Sequence, residues 1–278
     1  MHYCEKDTAQ FGRVLWMTDG KTDVAVALDF GIRVVHLSAA GCENLFYVQP
    51  ADRSDGYVAG DWCLYGGHRL WLSPESWDSY FPDNSPIRYT VCDDSILFEQ
   101  GLDTQLNVYK SICVRFLEDG SISIRQQIRN ASDQPLTGAA WGVNTLDAGG
   151  TAEIVFACAE PGGFQPTRSI SLWSVTNLGD PRLRFTHNRL FATHMPLKDY
   201  LKLGFFCNPG HVVFKNKGQS MQLTFDADPD AEYSDNGCNF ELFMCAHFME
   251  LESLGKKTDI LPGQCAVHTE CWRINKCE

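Results

Sequence analysis

The chain has no Cys-X-X-Cys pair, although it carries twelve cysteines in 278 residues. Its closest cysteine spacings are six (265 to 271, 271 to 277) and seven (238 to 245), which do not match the paired ligands of a structural zinc site. No metal and no cofactor is assigned from the sequence. Positive charge is scarce, with 23 Lys and Arg against 35 Asp and Glu and a net charge of −12. Nucleic acid as a partner is therefore not expected, because phosphates need a basic footprint. No apolar run is long enough to cross a membrane as a helix, so no membrane association is expected. Met1-His2-Tyr3-Cys4-Glu5-Lys6 opens on polar residues, unlike a secretory leader. Several cysteines sit in apolar runs such as Ser111-Ile112-Cys113-Val114 and Phe243-Met244-Cys245-Ala246. Reduced, mostly buried thiols in a cytoplasmic protein are the expectation, with a disulfide scaffold the alternative.

Long helical periodicity is missing too. Short β-branched runs fill the chain instead, parted by turn residues. Asp23–Phe30 and Ile32–Leu37 flank Gly31, and Gly41–Val48 follows. Val108–Phe116 and Ser121–Arg129 flank Asp119-Gly120, a hairpin signal. Leu136–Leu146, Val212–Phe214, Met221–Phe225, Phe240–Leu251 and Ala266–Ile274 complete the set. Turns at this spacing predict an antiparallel sandwich or barrel with more than about 40% strand, well above the ordinary share. No linker or repeat divides the chain, so residues 1–278 are expected to form a single domain.

One stretch concentrates chemistry. Tyr65-Gly66-Gly67-His68-Arg69-Leu70-Trp71-Leu72-Ser73-Pro74-Glu75 places two glycines, which allow tight turns or close approach, before an imidazole, a guanidinium, an indole and a carboxylate. A planar cation beside an aromatic ring suits a hydroxyl-rich ligand with one apolar face, which describes a sugar. The plain alternative is an edge strand with solvated His and Arg.

The order of these features resembles the galactose mutarotase-like superfamily, and within it a bacterial branch. Gly31-Ile32-Arg33-Val34-Val35 leading to Gly41-Cys42-Glu43-Asn44-Leu45-Phe46 looks like its opening strands. Gly66-Gly67-His68-Arg69-Leu70-Trp71 falls where hexose-phosphate mutarotases carry Gly-Gly-Ile-Pro and aldose 1-epimerases an Asn-Arg pair. Ile128-Arg129-Asn130-Ala131-Ser132 looks like the central strand-to-turn, and Met249-Glu250-Leu251-Glu252 with Leu261-Pro262-Gly263 like the terminal Glu strand and its turn. The resemblance spans nearly the whole chain. It implies an all-β, two-sheet antiparallel supersandwich that binds carbohydrate on a concave face.

Proteins of that kind use a Glu base and a His acid to open and reclose the sugar ring. Glu250 lies twelve residues before Pro262 (262 − 250), close to the family spacing. Glu252 is its rival, and both share one strand face because their spacing is two. The family's His-Pro-Tyr type motif is absent; Trp141-Gly142-Val143-Asn144-Thr145 stands there, and neither Trp nor Asn delivers a proton at neutral pH. His68 is the substitute considered as a catalytic residue beside Glu250 and Glu252. His247, three residues from Glu250, is expected on the opposite sheet surface, and His187 and His194 in a region that could overhang the site. Arg69, Trp71, Trp141, Asn144, Lys202 and Asp235 are the expected binding residues, with Arg69 and His68 lining one concavity with a Glu. Three readings stay open: an aldose 1-epimerase-like enzyme, a non-catalytic carbohydrate-binding or sensing protein, and a glycoside hydrolase or lyase. In each the partner is a small sugar or sugar derivative.

Overall fold

Alternating apolar and polar residues bury one face of a strand, and Ile122-Ser123-Ile124 shows this directly, its isoleucines buried and its serine half-buried. The structure, a computed structural model, describes residues 1–49, 62–156, 164 and 166–277. Cys158 lies outside the described residues. The strands in chain order are β1 (His2–Thr8), β2 (Gly12–Thr18), β3 (Thr22–Ala27), β4 (Arg33–Ala39), β5 (Gly67–Ser73), β6 (Arg88–Val91), β7 (Ile96–Glu99), β8 (Val108–Phe116), β9 (Ile122–Asn130), β10 (Leu136–Asp147) and β11 (Thr151–Val155). They continue as β12 (Ile170–Leu172), β13 (Leu183–Phe185), β14 (Arg189–Thr193), β15 (Leu201–Phe205), β16 (His211–Asn216), β17 (Gln219–Phe225), β18 (Phe240–Met244), β19 (Phe248–Leu254), β20 (Thr258–Ile260) and β21 (Cys265–Lys276). Strand accounts for 53% and helix for 3%, as the turn spacing predicts.

Two antiparallel sheets result. One runs β1-β2-β3-β4-β5-β10-β19-β18-β15-β12, with β20 also paired to β10. The other runs β13-β14-β11-β16-β17-β21-β9-β8-β7-β6. A continuous apolar cluster including Leu70, Leu146, Met249, Leu251, Leu242 and Leu203 from the first sheet and Ile112, Ile124, Leu223 and Trp272 from the second fills the space between them. No helix among the described residues is long and apolar enough to cross a membrane.

The structure corrects two strand expectations. Gly41–Val48 is not a continuous strand; it contributes isolated bridges at Phe46 to Leu146 and Val48 to Gly66. The reason lies in Gly66 and Gly67, whose φ of +86° and +73° bring the backbone against this segment. A Cβ at Gly66 would stand 2.1 Å from the Tyr47 carbonyl oxygen, and one at Gly67 2.3 Å from that of Val34. Phe240–Leu251 is not one strand but a hairpin, β18 and β19, closed where the Cys245 amide donates to the Phe248 carbonyl at 3.2 Å. Its turn, 245–247, contains neither Gly nor Pro.

Candidate functional site

Five neighbouring strands, β5, β10, β19, β18 and β15, form the middle of the first sheet. Their register fixes which side chains meet. Arg69 lies opposite Val143, Trp71 opposite Trp141, Glu250 opposite Thr145 and Glu252 opposite Val143. Glu252 also faces Glu241, and Lys202 faces Phe243. Strand alternation then sends Arg69, Trp71, Trp141, Thr145, Lys202, Glu241, Glu250 and Glu252 to the side away from the second sheet. On that side a cavity of about 550 Å³ is lined by Arg69, Trp71, Glu75, Tyr80, Trp141, Lys202, Glu250 and Glu252 among others, with Thr145 and Glu241 buried behind its wall. That volume is in the range of small-molecule sites.

Two electrostatic centres lie in it. At the first, the Glu250 Oε1 accepts from Arg69 Nη1 at 2.9 Å and from Thr145 Oγ1 at 2.8 Å. The same Nη1 reaches Thr145 Oγ1 at 3.1 Å, and the guanidinium lies 4.2 Å from the Trp71 ring centroid, within cation–π range. Glu250 is thus a carboxylate fixed in place by an ion pair, a hydroxyl and a stacked guanidinium.

At the second, the Lys202 ammonium stands 3.1 Å from Glu241, 3.5 Å from Glu75 and 3.5 Å from Glu252. It also lies over Trp141 and Trp173, at 4.8 and 5.0 Å from their centroids. Tyr80 donates a short hydrogen bond to Glu75. Burial works against the ammonium, but Glu252, Glu241 and Glu75 outweigh it and hold its pKa above the ordinary lysine value. Burial raises Glu252 well above the usual carboxylate range, and Glu241, Glu250 and Glu75 add to the rise against Lys202. Burial likewise pushes Glu241 up to about 7. The directions agree: the ammonium keeps its proton, and the buried carboxyl groups of Glu241 and Glu252 beside it are held toward their protonated forms. Among the described residues, Trp141 Nε1 and Arg69 Nε are buried without a hydrogen-bond partner.

Arg69, Trp71, Trp141, Lys202, Glu250 and Glu252 therefore meet in one cavity. His68, Asn144 and Asp235 do not line it. His68 and Asn144 precede or follow cavity residues by one position, so they point between the sheets. His68 is fully buried there, with Nδ1 at 3.0 Å from Asn144 Oδ1, and Asn144 Nδ2 donates to Glu270 at 3.1 Å. Burial lowers the His68 pKa to about 3. The expectation that His68 shares the concavity with Arg69 is corrected on that geometry. Asp235 sits in a left-handed turn with Asn236 and Gly237 and raises the pKa of Glu241 through its charge. His247 is not on the opposite sheet surface, as expected; it is exposed in the β18–β19 turn, on the cavity wall. His194 braces that turn from behind, its Nε2 at 3.2 Å from the Cys245 carbonyl.

Thr145, Glu241 and Tyr80 were missed by sequence reasoning, and Glu75, noted as the carboxylate of the Gly-Gly-His-Arg stretch, was given no role of its own. Once β18 and β19 are read as a hairpin, pairing alone places Glu241 beside Glu252. Glu75 and Tyr80 approach from the segment after β5, and Tyr80 carries no such signal.

No protein-family model and no curated protein matches the chain. Solved structures do. A galactose mutarotase-like protein from Lactobacillus casei aligns with a TM-score of 0.60 at 12% identity, over 94% of this chain and 100% of that one. A galactose mutarotase related enzyme from Lactobacillus acidophilus aligns at 0.56 and 10% identity, over 95% and 97%. A TPR-domain containing protein from Parabacteroides distasonis aligns at 0.61 and 14% identity, over 95% of this chain and 47% of that one. The fold is an antiparallel two-sheet supersandwich of the galactose mutarotase-like class.

Proposed function

We propose that the concave cavity binds a sugar and interconverts its anomers, with Glu250 as general base. The observation that carries this reading is the Glu250 carboxylate, 7% exposed and fixed by Arg69 and Thr145 on the wall of a sugar-sized cavity. Glu250 takes the proton of the anomeric hydroxyl, the bond from C1 to the ring oxygen breaks, and the ring oxygen accepts a proton. The open aldehyde turns about its bond to C2 and recloses on either face. Arg69 orients the base, while Trp71 and Trp141 form an apolar wall. Asn144 and His68 brace β5 and β10 from behind, and Asp235 acts on the site through Glu241. Lys202 is already surrounded by three carboxylates, which favours an uncharged sugar over a phosphorylated or acidic one.

The same reading takes residues 1–278 as one domain, since one apolar cluster joins both sheets. The free, buried thiols of Cys207 and Cys238 support a reducing, cytoplasmic setting. A non-catalytic sugar-binding protein is the second reading; it is favoured by Trp141 standing where mutarotases of the resembled family carry their histidine motif.

Indole fluorescence tests binding, because Trp71, Trp141 and Trp173 border the cavity. Titration with neutral aldoses is expected to give a saturable change for at least one of them. A panel of neutral pentoses and hexoses that leaves both fluorescence and titration heat unchanged contradicts the reading.

A further inference from the structure

We propose that Glu252 is the general acid of this cavity, giving its carboxyl proton to the sugar ring oxygen while Glu250 takes the anomeric proton. This rests on the sugar-anomer reading above and supplies the proton donor that reading lacks. The anomeric hydroxyl and the ring oxygen are bonded to one carbon, so the groups that serve them must stand side by side. Glu250 and Glu252 do so: both line the cavity, two positions apart on one strand face, a separation of about 7 Å along β19.

Their partners differ, the arrangement by which two carboxyl groups divide acid and base roles. Glu250 has a cation of its own in Arg69 from β5, at 2.9 Å, and the Thr145 hydroxyl from β10. Glu252 has no arginine. It faces Glu250 on its own strand, the uncharged Val143 and Trp141 of β10, Glu241 on β18, Lys202 on β15 and Glu75 beyond β5. The single Lys202 charge is divided among Glu75, Glu241 and Glu252, and Glu252 is 1% exposed. With so little of that charge and almost no exposure, Glu252 is held toward its protonated form by burial. Glu241 is fully buried and does not line the cavity, so of the two buried carboxyl groups Glu252 is the one a ligand can reach. His68 is not placed to serve, because it is buried between the sheets, whereas His247 reaches the cavity only from the exposed β18–β19 turn at its rim.

The step balances. Glu252 loses its proton to the ring oxygen as the C1–oxygen bond pair moves onto that oxygen, and Glu250 gains the anomeric proton. On reclosure Glu252 recovers the ring-oxygen hydroxyl proton and Glu250 returns its own.

Exchange spectroscopy between aldose anomers, run from pH 5 to 9 on the intact chain, tests this. The parent rate is expected to fall as pH rises and Glu252 ionises. Glu252→Gln should lower the rate at least about 100-fold, the usual contribution of a general acid, keep sugar affinity within about threefold, and remove that alkaline limb. Glu241→Gln frees Lys202 for Glu252 and should move the limb to lower pH. A Glu252→Gln protein as fast as the parent with the limb intact overturns the acid assignment and leaves the anomer reading standing. So does an unmoved limb in Glu241→Gln, which decides the matter if Glu252→Gln fails to fold. A parent chain that accelerates no aldose overturns the anomer reading itself.

Discussion

Removing the charge of Arg69 while keeping its stem is the most informative perturbation of the cavity floor. In Arg69→Met the aliphatic part can still pack on Trp71, but Glu250 loses its ion pair at 2.9 Å and keeps only Thr145 at 2.8 Å. Both partners are nearly buried, with side-chain exposures of 4% and 9%. Leaving one member of a buried pair unpaired costs about 3 kcal/mol or more. For a chain of this size that corresponds to a fall in melting temperature of roughly 6–12 °C. Glu250→Gln removes the charge from the other side and should cost less, about 1–3 kcal/mol, because the amide oxygen still accepts from Arg69. The double variant no longer buries an unpaired charge. Its loss should be smaller than the sum of the two by about 1.5 kcal/mol or more, the interaction energy expected of groups in one network. Urea unfolding followed by far-ultraviolet circular dichroism at pH 7 measures all four proteins. An Arg69→Met loss under about 1 kcal/mol, or singles that add to within about 0.5 kcal/mol, would show that the pair does not hold the cavity floor.

Stability should be flat in mildly acidic solution and fall on either side. His36, His68 and His268 have folded-state pKa values lowered by burial to about 4, 3 and 4, against about 6.5 unfolded; the stability they contribute is full above pH 6.5 and is lost as pH drops through 4. Glu241, raised to about 7 by burial, and Glu252, also raised by burial, act with the opposite sign: the Glu241 contribution is full below about pH 4.5 and is lost as pH rises through 7, and that of Glu252 is likewise lost on the alkaline side. The two trends offset each other between roughly pH 4.5 and 6.5, and a stability that climbs steadily from pH 5 to 8 contradicts the assignment. Lys202→Met leaves Glu75, Glu241 and Glu252 without their cation and should cost about 2–3 kcal/mol at pH 8, and less at pH 5, where the carboxyl groups take up protons; equal losses at both pH values count against the shared-charge picture. Gly67→Ala adds a Cβ 2.3 Å from the Val34 carbonyl at a φ of +73° and should lose about 2–4 kcal/mol in the same unfolding assay, so a near-neutral result would refute the close approach seen there.

The all-β character was legible because alternation is a local property, plain within a few residues in strands such as β8, β9, β11 and β17, and because turn residues part the short β-branched runs. The break at Cys245-Ala246-His247 was not, since small and apolar residues carry no turn signal and the hairpin is fixed by pairing across β18 and β19. Missing that turn hid Glu241 and misplaced His247. His68 illustrates the opposite case. Adjacent residues on a strand point to opposite faces, so His68 and Arg69 could not both face the cavity once Gly67–Ser73 formed β5, and the same parity removes Asn144 while keeping Trp141, Val143 and Thr145. Glu250, Glu252 and Arg69 were legible as types and by their placement in the resemblance. Their partnership was not, since it joins positions 181 residues apart through a register that only the assembled sheet defines.

The measurement that bears most directly on the central claim is anomer exchange by nuclear magnetic resonance across a panel of neutral aldoses, with the parent chain and Glu250→Gln compared at pH 6.5. The account expects at least one aldose whose exchange the parent accelerates above the buffer rate, and a loss of about 100-fold or more in the variant with its fold intact. Exchange at the buffer rate for every aldose, or a Glu250→Gln protein that matches the parent, would contradict it.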